Sequence, residues 1–183
     1  MGKQGRSSGL RGRMRRRPLL AGVAVVAVVG AVLVFASGAR PGVDVLNAVP
    51  LEDGYVGTTY AFDALLCVGS KIAATTITGV EVEQAPGGTT RLLLPPDDSP
   101  PTVGFPVEQD AGRPVEGYVV PAGESDCGFR LLVTPDRTGT VEAGTVRLST
   151  SYGPGGLLRR TLSAQADVTL EVTGTGTDPR STG

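Results

Sequence analysis

Whatever chemistry this chain of 183 residues performs, it performs without histidine, of which it has none. Ser-His-Asp and Cys-His nucleophilic arrangements are thereby excluded, as are histidine-ligated zinc and iron centres. The densest set of acid and base groups is Asp97, Asp98, Glu108, Asp110 and Glu116, five carboxylates within twenty residues. Two carboxyl groups facing each other across a rigid cleft could hydrolyse a glycosidic bond, one as acid and the other as nucleophile or base. A sugar cleft also wants aromatic platforms, and beyond its apolar N-terminal stretch the chain has seven aromatic residues and no tryptophan. The same oxygens could surround Ca²⁺, yet no D-x-[DN]-x-[DN]-G loop is present. Solvated loop carboxylates are the plainer reading. With Phe105 among them, Asp97, Asp98, Phe105, Glu108 and Asp110 form a candidate interaction loop rather than a catalytic or metal site.

Ser70 and Lys71 are adjacent in "CVGSKI", but neighbours in sequence do not give a Ser-Lys dyad its geometry, and no S-x-x-K spacing occurs. Glycines 87–88 and 153–156 match no phosphate-binding fingerprint and serve as turns. No catalytic residue, metal or cofactor is therefore assigned. The two cysteines, Cys67 and Cys127, lack the C-x-x-C spacing of redox and metal sites. In a compartment that oxidises thiols, such a pair reads as a disulfide, and closing a loop of that length is worth about 4 kcal/mol in the chain-entropy model.

The elements that must carry these residues are short strands. Leu162, Ala164, Ala166, Val168, Leu170 and Val172 alternate with polar residues, giving one buried and one wet face. Residues 145–152 alternate likewise, and Gly153-Pro-Gly-Gly156 between the two runs makes a hairpin turn. Residues 127–134 place Cys127, Phe129, Leu131 and Val133 on one side, which turns Cys127 to the core. Residues 58–68, 72–83 and 89–94 are further strands, the last two linked by a turn at 86–88; 43–49 and 115–120 add two short ones. In 58–68 the apolar phase runs through Tyr60, Phe62, Ala64, Leu66 and Val68, which points Cys67 outward unless a bulge or a strand end reorients it. Residues 95–114, rich in proline and acid, should not sustain a ladder and are expected as one surface loop. The whole predicts a mainly β protein: one antiparallel β-sandwich of seven or eight strands over residues 40–173, ending in a disordered tail at 174–183.

Residues 18–39 are uncharged and apolar on every side, and as a helix they span about 33 Å, enough for a bilayer. Lys3, Arg6, Arg11, Arg13, Arg15, Arg16 and Arg17 precede them without an acid, which keeps residues 1–17 cytoplasmic and sends the rest outside. A cleaved export signal ending near Ala39 is the competing reading; an apolar core of 17 residues, Leu19 to Phe35, favours a retained signal anchor. Charge divides the same way: residues 1–40 carry +8, whereas 41–183 hold nine bases against eighteen acids, a net of −9. An acidic exterior repels nucleic acid, and the basic tail is suited to anionic lipid. Ala24, Ala27 and Ala31 would let two such helices approach, which allows self-association without establishing it.

Residues 129–172, "FRLLVTPDRTGTVEAGTVRLSTSYGPGGLLRRTLSAQADVTLEV", resemble the C-terminal half of bacterial immunoglobulin-like domains in their order of strand, proline, turn, strand, hairpin and strand. They depart from antibody-type domains in having no tryptophan between the cysteines. The layout of basic tail, anchor and β-rich exterior resembles single-pass envelope proteins of high-GC Gram-positive bacteria. That resemblance implies a place in the cell membrane rather than an activity. The expectation is a non-catalytic, tethered module that binds or assembles with another envelope protein. An extracytoplasmic enzyme using carboxylates, and a domain secreted after cleavage, are the alternatives.

Overall fold

The alternation through residues 162–172 survives in the structure but does not make one strand. In the computed structural model, which describes residues 39–46, 49–97, 99–108, 112–176 and 178–182 together with Val29, the run divides between β13 (Leu158–Gln165) and β14 (Val168–Thr175). The Val168 amide donates to the Ala166 carbonyl at 2.9 Å, a tight turn that sends the chain into another sheet. Leu162, Ala164, Ala166, Val168, Leu170 and Val172 all remain buried across it. The period of two is kept because both sheets face the same interior.

The chain has two compact units, residues 1–37 and 38–183. In the first, only Val29 is described, in helical conformation. The seven basic residues of the tail and almost all of the proposed 18–39 span lie outside the described residues. Among the described residues no helix is long and apolar enough to cross a membrane.

The second unit is mainly β, built of several sheets. Among the described residues its other strands are β1 (Gly42–Val45), β2 (Val49–Val56), β3 (Thr59–Asp63), β4 (Leu66–Gly69), β5 (Thr75–Val82), β6 (Gly88–Leu93) and β7 (Val103–Val107). They continue with β8 (Val119–Val120), β9 (Ser125–Asp126), β10 (Arg130–Pro135), β11 (Gly139–Glu142) and β12 (Thr145–Tyr152). Four sheets result, in the orders β6-β10-β3-β7, β13-β12-β5-β8, β11-β14-β2 and β1-β4-β9. All pairings are antiparallel except β14 with β2, which is parallel. The predicted hairpin is present: β12 and β13 pair from Thr145–Gln165 to Tyr152–Leu158 around a short 3-10 turn, Pro154–Gly156. One apolar cluster draws on all four sheets, including Phe62, Val68, Ile77, Leu131, Leu148 and Leu170.

The predicted strand 58–68 is broken at Ala64, whose φ of 57° bends the chain out of the first sheet and into the fourth. That bend resolves the phase conflict at Cys67: Leu66, Cys67 and Val68 are all buried. Cys67 is bonded to Cys127, with Cα atoms 4.0 Å apart, one register step beyond the Val68–Asp126 pair of β4 and β9. Cys127 itself is half-buried and precedes β10 instead of opening it.

The strand β3 is buried along its whole length, Thr59 to Asp63. Tyr60 and Phe62 enter the main cluster, while Ala61 faces the other way, into a second cluster with Leu93, Leu132 and Val107. On that second face Asp63 and Arg130 are cross-strand partners, with Nε–Oδ1 and Nη2–Oδ2 both 2.7 Å. Both side chains are almost wholly buried. The Thr102 amide donates to Asp63 Oδ2 at 2.8 Å, and the Asp63 amide donates to the Thr102 carbonyl at 2.7 Å. Gly112 presses on Leu93, where an added Cβ would lie 2.9 Å from Leu93 Cβ.

The segment 95–114 is therefore not a bare loop. It contains β7, which pairs with β3, and it lies over the second face. A ladder tolerates Pro106 because β7 is an edge strand, where a missing N–H is not needed. Gly104, at φ +70°, takes up the register shift, and any Cβ there would meet Leu51 at 2.8 Å. The C-terminus departs from expectation too. Gly174 and Thr175 belong to β14, Asp178 is fully buried, and Pro179–Thr182 form a 3-10 turn that packs against β7.

Removing one member of a buried ion pair strands the other charge. Arg130→Met should lower unfolding free energy by about 3–5 kcal/mol, whereas Asp63→Leu combined with Arg130→Met should cost much less. Equilibrium denaturation in urea measures both, and equal losses in the single and double variants would contradict the pairing.

Candidate functional site

Of the carboxylates picked out by the sequence, the three that are described, Asp97, Glu108 and Glu116, are not brought together as a group. Asp97 is exposed and pairs with Arg113 at 2.7 Å, across the isolated bridge of Leu94 and Arg113. Glu108 is exposed just beyond β7, and Glu116 lies in the turn before β8. Asp98 and Asp110 fall outside the described residues. Among the described residues no three acid or thiol groups converge as a metal-ligand set. Phe105 is the member that stands out: on the edge strand β7 it is 60% exposed, beside Val103 at 45%. The bulge at Gly104 sets this pair, since it shifts the register between the Ala61–Phe105 and Phe62–Val103 pairings.

Ser70 does not face Lys71. Its hydroxyl donates to the Ala39 carbonyl at 2.9 Å, and Ser70 is buried while Lys71 is exposed. Ala39 is itself fully buried, packed with Ala73, Tyr152 and Leu158. Arg160 adds a bond from Nη1 to the Pro41 carbonyl at 2.9 Å. The folded unit is thus closed at its start by residues 39–41.

Two polar clusters were not apparent in the sequence. In one, the Tyr55 amide donates to the Tyr60 hydroxyl at 2.8 Å, which in turn donates to Asp178 Oδ2 at 2.9 Å. Arg180 grips the same carboxylate, with Nη2 2.7 Å from Oδ2, reaches the Asp53 carbonyl and stacks 5.8 Å from the Tyr60 ring centre. The Arg180 bonds hold the Asp178 carboxyl down to about 2, and burial pushes the Tyr60 hydroxyl up. In the other, the Tyr118 hydroxyl bonds Asp126 Oδ2, which raises Tyr118 to about 12. Its ring meets Phe129 edge-on at 6.0 Å, next to the disulfide. Asp126 and Asp178 each sit in an unremarkable polar stretch, so only the isolated aromatic partners hinted at these contacts.

A groove of about 340 Å³ opens between β5 and β6, lined by Val80, Val82, Gln84, Thr90, Leu92 and Glu116 among others. A second, of about 400 Å³, is framed by Val49, Glu142, Gln165 and Asp167 where β2, β11 and β14 meet.

No family model matches the chain, and no curated protein matches it. Among solved structures it is similar to the Vibrio cholerae VesB protease, with a TM-score of 0.38 and 15% identity. The match covers 75% of this chain and 32% of that one, so the chain spans about a third of that protein's length. A likeness this distant carries no argument about activity.

The depressed Asp178 carboxyl fixes a sign. A group whose folded value lies below its ordinary 3.8 adds stability above that pH and loses it as pH falls toward about 2. Asp178→Asn should therefore lower Tm at pH 5–7, with the gap to the parent protein closing between about pH 4 and pH 2. Thermal scans of both proteins across that range test it; a gap that is constant with pH would remove the Arg180 clasp from the account.

Proposed function

We propose that this chain is a non-catalytic binding or assembly module of the cell envelope, an immunoglobulin-like β-sandwich tethered by residues 18–39 and displayed outside the membrane. The observation that carries the reading is the edge strand β7, on which Phe105 and Val103 stand exposed above a fully buried β3. An apolar pair on a rigid edge suits a protein partner, because burying an aromatic ring there contributes more than the flanking charges do. The Cys67–Cys127 bond supports an oxidising location. The acidic charge of residues 41–183 supports a partner other than nucleic acid.

Retention of the anchor, as opposed to cleavage after Ala39, is favoured by one contact. Ala39 is fully buried in the folded unit and its carbonyl accepts the Ser70 hydroxyl. Cutting there would detach a core residue from its packing.

Protease added to intact spheroplasts should degrade residues beyond 40 and spare the basic tail, and the mature chain should keep its original N-terminus by mass spectrometry. A photo-crosslinker at position 105 should capture a membrane-fraction partner, while one at the exposed Glu171 on β14 should not. With the crosslinker moved to the neighbouring exposed position 103, Phe105→Ser should cut capture at least tenfold with Tm unchanged. Equal capture from 105 and 171 would remove β7 as the binding edge.

A further inference from the structure

Sheet β13-β12-β5-β8 ends on a strand of two residues. β8 pairs only with Thr75 and Thr76 of β5, and the Ile77 amide reaches the Tyr118 carbonyl. Beyond that point, no described strand pairs with β5 on this side, while β12 pairs with it up to Val82 on the other. The open stretch, 78–82, is about 16 Å long. Hydrogen bonding alternates along a strand. Because the Glu83 amide donates to the Thr145 carbonyl toward β12, the main-chain groups of Val80 and Val82 point to the open side. The Val82 carbonyl accepts from Gln84 Nε2 at 3.3 Å, which among the described residues leaves the Val82 amide and both groups of Val80 for a further strand. Val80 and Val82 are only half-buried, and they form one wall of the 340 Å³ groove that runs to Leu92 on β6.

We infer that this edge accepts an extended segment of a partner protein by strand addition to β5, with small apolar side chains entering the groove and cationic ones lying outside. Charge decides the occupant. The exposed acids on this side are Glu81, Glu83 and Glu116, with Arg91 on the β6 wall and Arg147 beyond Glu81 on β12. A second copy added edge to edge would set Glu81 and Glu83 against their own equivalents, so the fitting chain is basic and different. In an antiparallel addition, the residues whose side chains enter the groove beside Val80 are those whose N–H groups bond β5. The outward residues then stand next to Glu81. This site is separate from β7 and does not depend on the Phe105 reading.

The test uses the full isotope-labelled chain in mild detergent, titrated with a capped hexapeptide alternating valine and lysine. Saturable shifts are expected at the Val80 and Val82 amides, unchanged by Phe105→Ser. Methylating the valine nitrogens of the peptide should abolish binding, and methylating the lysine nitrogens should not. Glu81→Lys with Glu83→Lys should weaken binding at least tenfold and admit the valine–glutamate hexapeptide instead. Absence of saturable shifts at these amides, or equal binding of the two hexapeptides, overturns the inference. So do shifts at Val80 and Val82 that depend on protein concentration without peptide, which assign the edge to a second copy. Movement of the Val80 and Val82 amides on deletion of residues 1–17 in the absence of peptide also overturns it, in favour of the chain's own basic tail.

Discussion

A carboxylate and a guanidinium taken out of water can remain there only in each other's company, and Asp63 and Arg130 are held on a sheet face that solvent does not reach. Sliding β3 by one residue against β10 would leave both charges buried and unpaired, so the pair fixes the register. The bond from Arg130 keeps that guanidinium more firmly protonated than usual. What covers the face follows from the same pair. Asp63 also holds the Thr102 backbone, which anchors segment 95–114 over Leu93 and Leu132 and delivers β7 to the free side of β3. The exposure of Phe105 is thus a consequence of an ion pair that joins the adjacent strand β3 to β10.

The opposite face of β3 carries a second polar link. Tyr60 points into the main core, and its hydroxyl receives the Tyr55 amide and binds Asp178. One five-residue strand therefore locates both the proline-rich segment and the C-terminal turn, which meet at β7. Just past it, Ala64 turns the chain into the fourth sheet, where the Cys67–Cys127 bond closes the junction with β9. The bend and the disulfide act on the same few residues. Together they allow a strand with two buried faces to continue into one that belongs to a different sheet.

How far the sequence was legible depended on whether a residue's role was local. Period-two alternation located the β12–β13 hairpin and the buried set through Val172 because a half-buried strand imprints its own pattern. It did not reveal the change of sheet at Ala166, which preserves the alternation. Nor did it reveal β7, since Pro106 and Gly104 read as breakers unless the strand is known to be an edge with a bulge. Asp63 and Arg130 looked like ordinary charges at the ends of "YAFD" and "FRLLV"; their burial is set by partners 67 residues apart. The acidic segment is legible as surface, but the engagement of Asp97 by Arg113 is not, because the two are brought together by the bridge of Leu94 with Arg113 rather than by sequence proximity. Asp178 was read as tail for want of any nearby apolar residue, and its site is built by Tyr60 and Arg180 instead.

The free edges of this protein are not treated alike, and the difference bears on how it meets other chains. Natural sheets blunt their edges with proline, bulges or cations. Here β2 carries Pro50 and a left-handed Asp53, β7 carries Pro106 and the Gly104 bulge under the C-terminal turn, and β13 presents Arg159 and Arg160. The 78–82 stretch of β5 is bulged at Thr78–Gly79, but from Val80 to Val82 it carries no proline or cation, only Glu81 between half-buried valines. An undefended edge that invited any strand would aggregate, yet Glu81 and the nearby Glu83 and Glu116 set a filter that discourages a second copy and admits a basic segment. The cost of leaving that edge open is limited by its length, because β8 at one end and the Gln84 side chain bonding to Val82 at the other allow only a few residues to pair. Recognition there depends on backbone geometry and charge sign rather than on a detailed side-chain pocket, which suits a module whose partner need supply only a short extended segment.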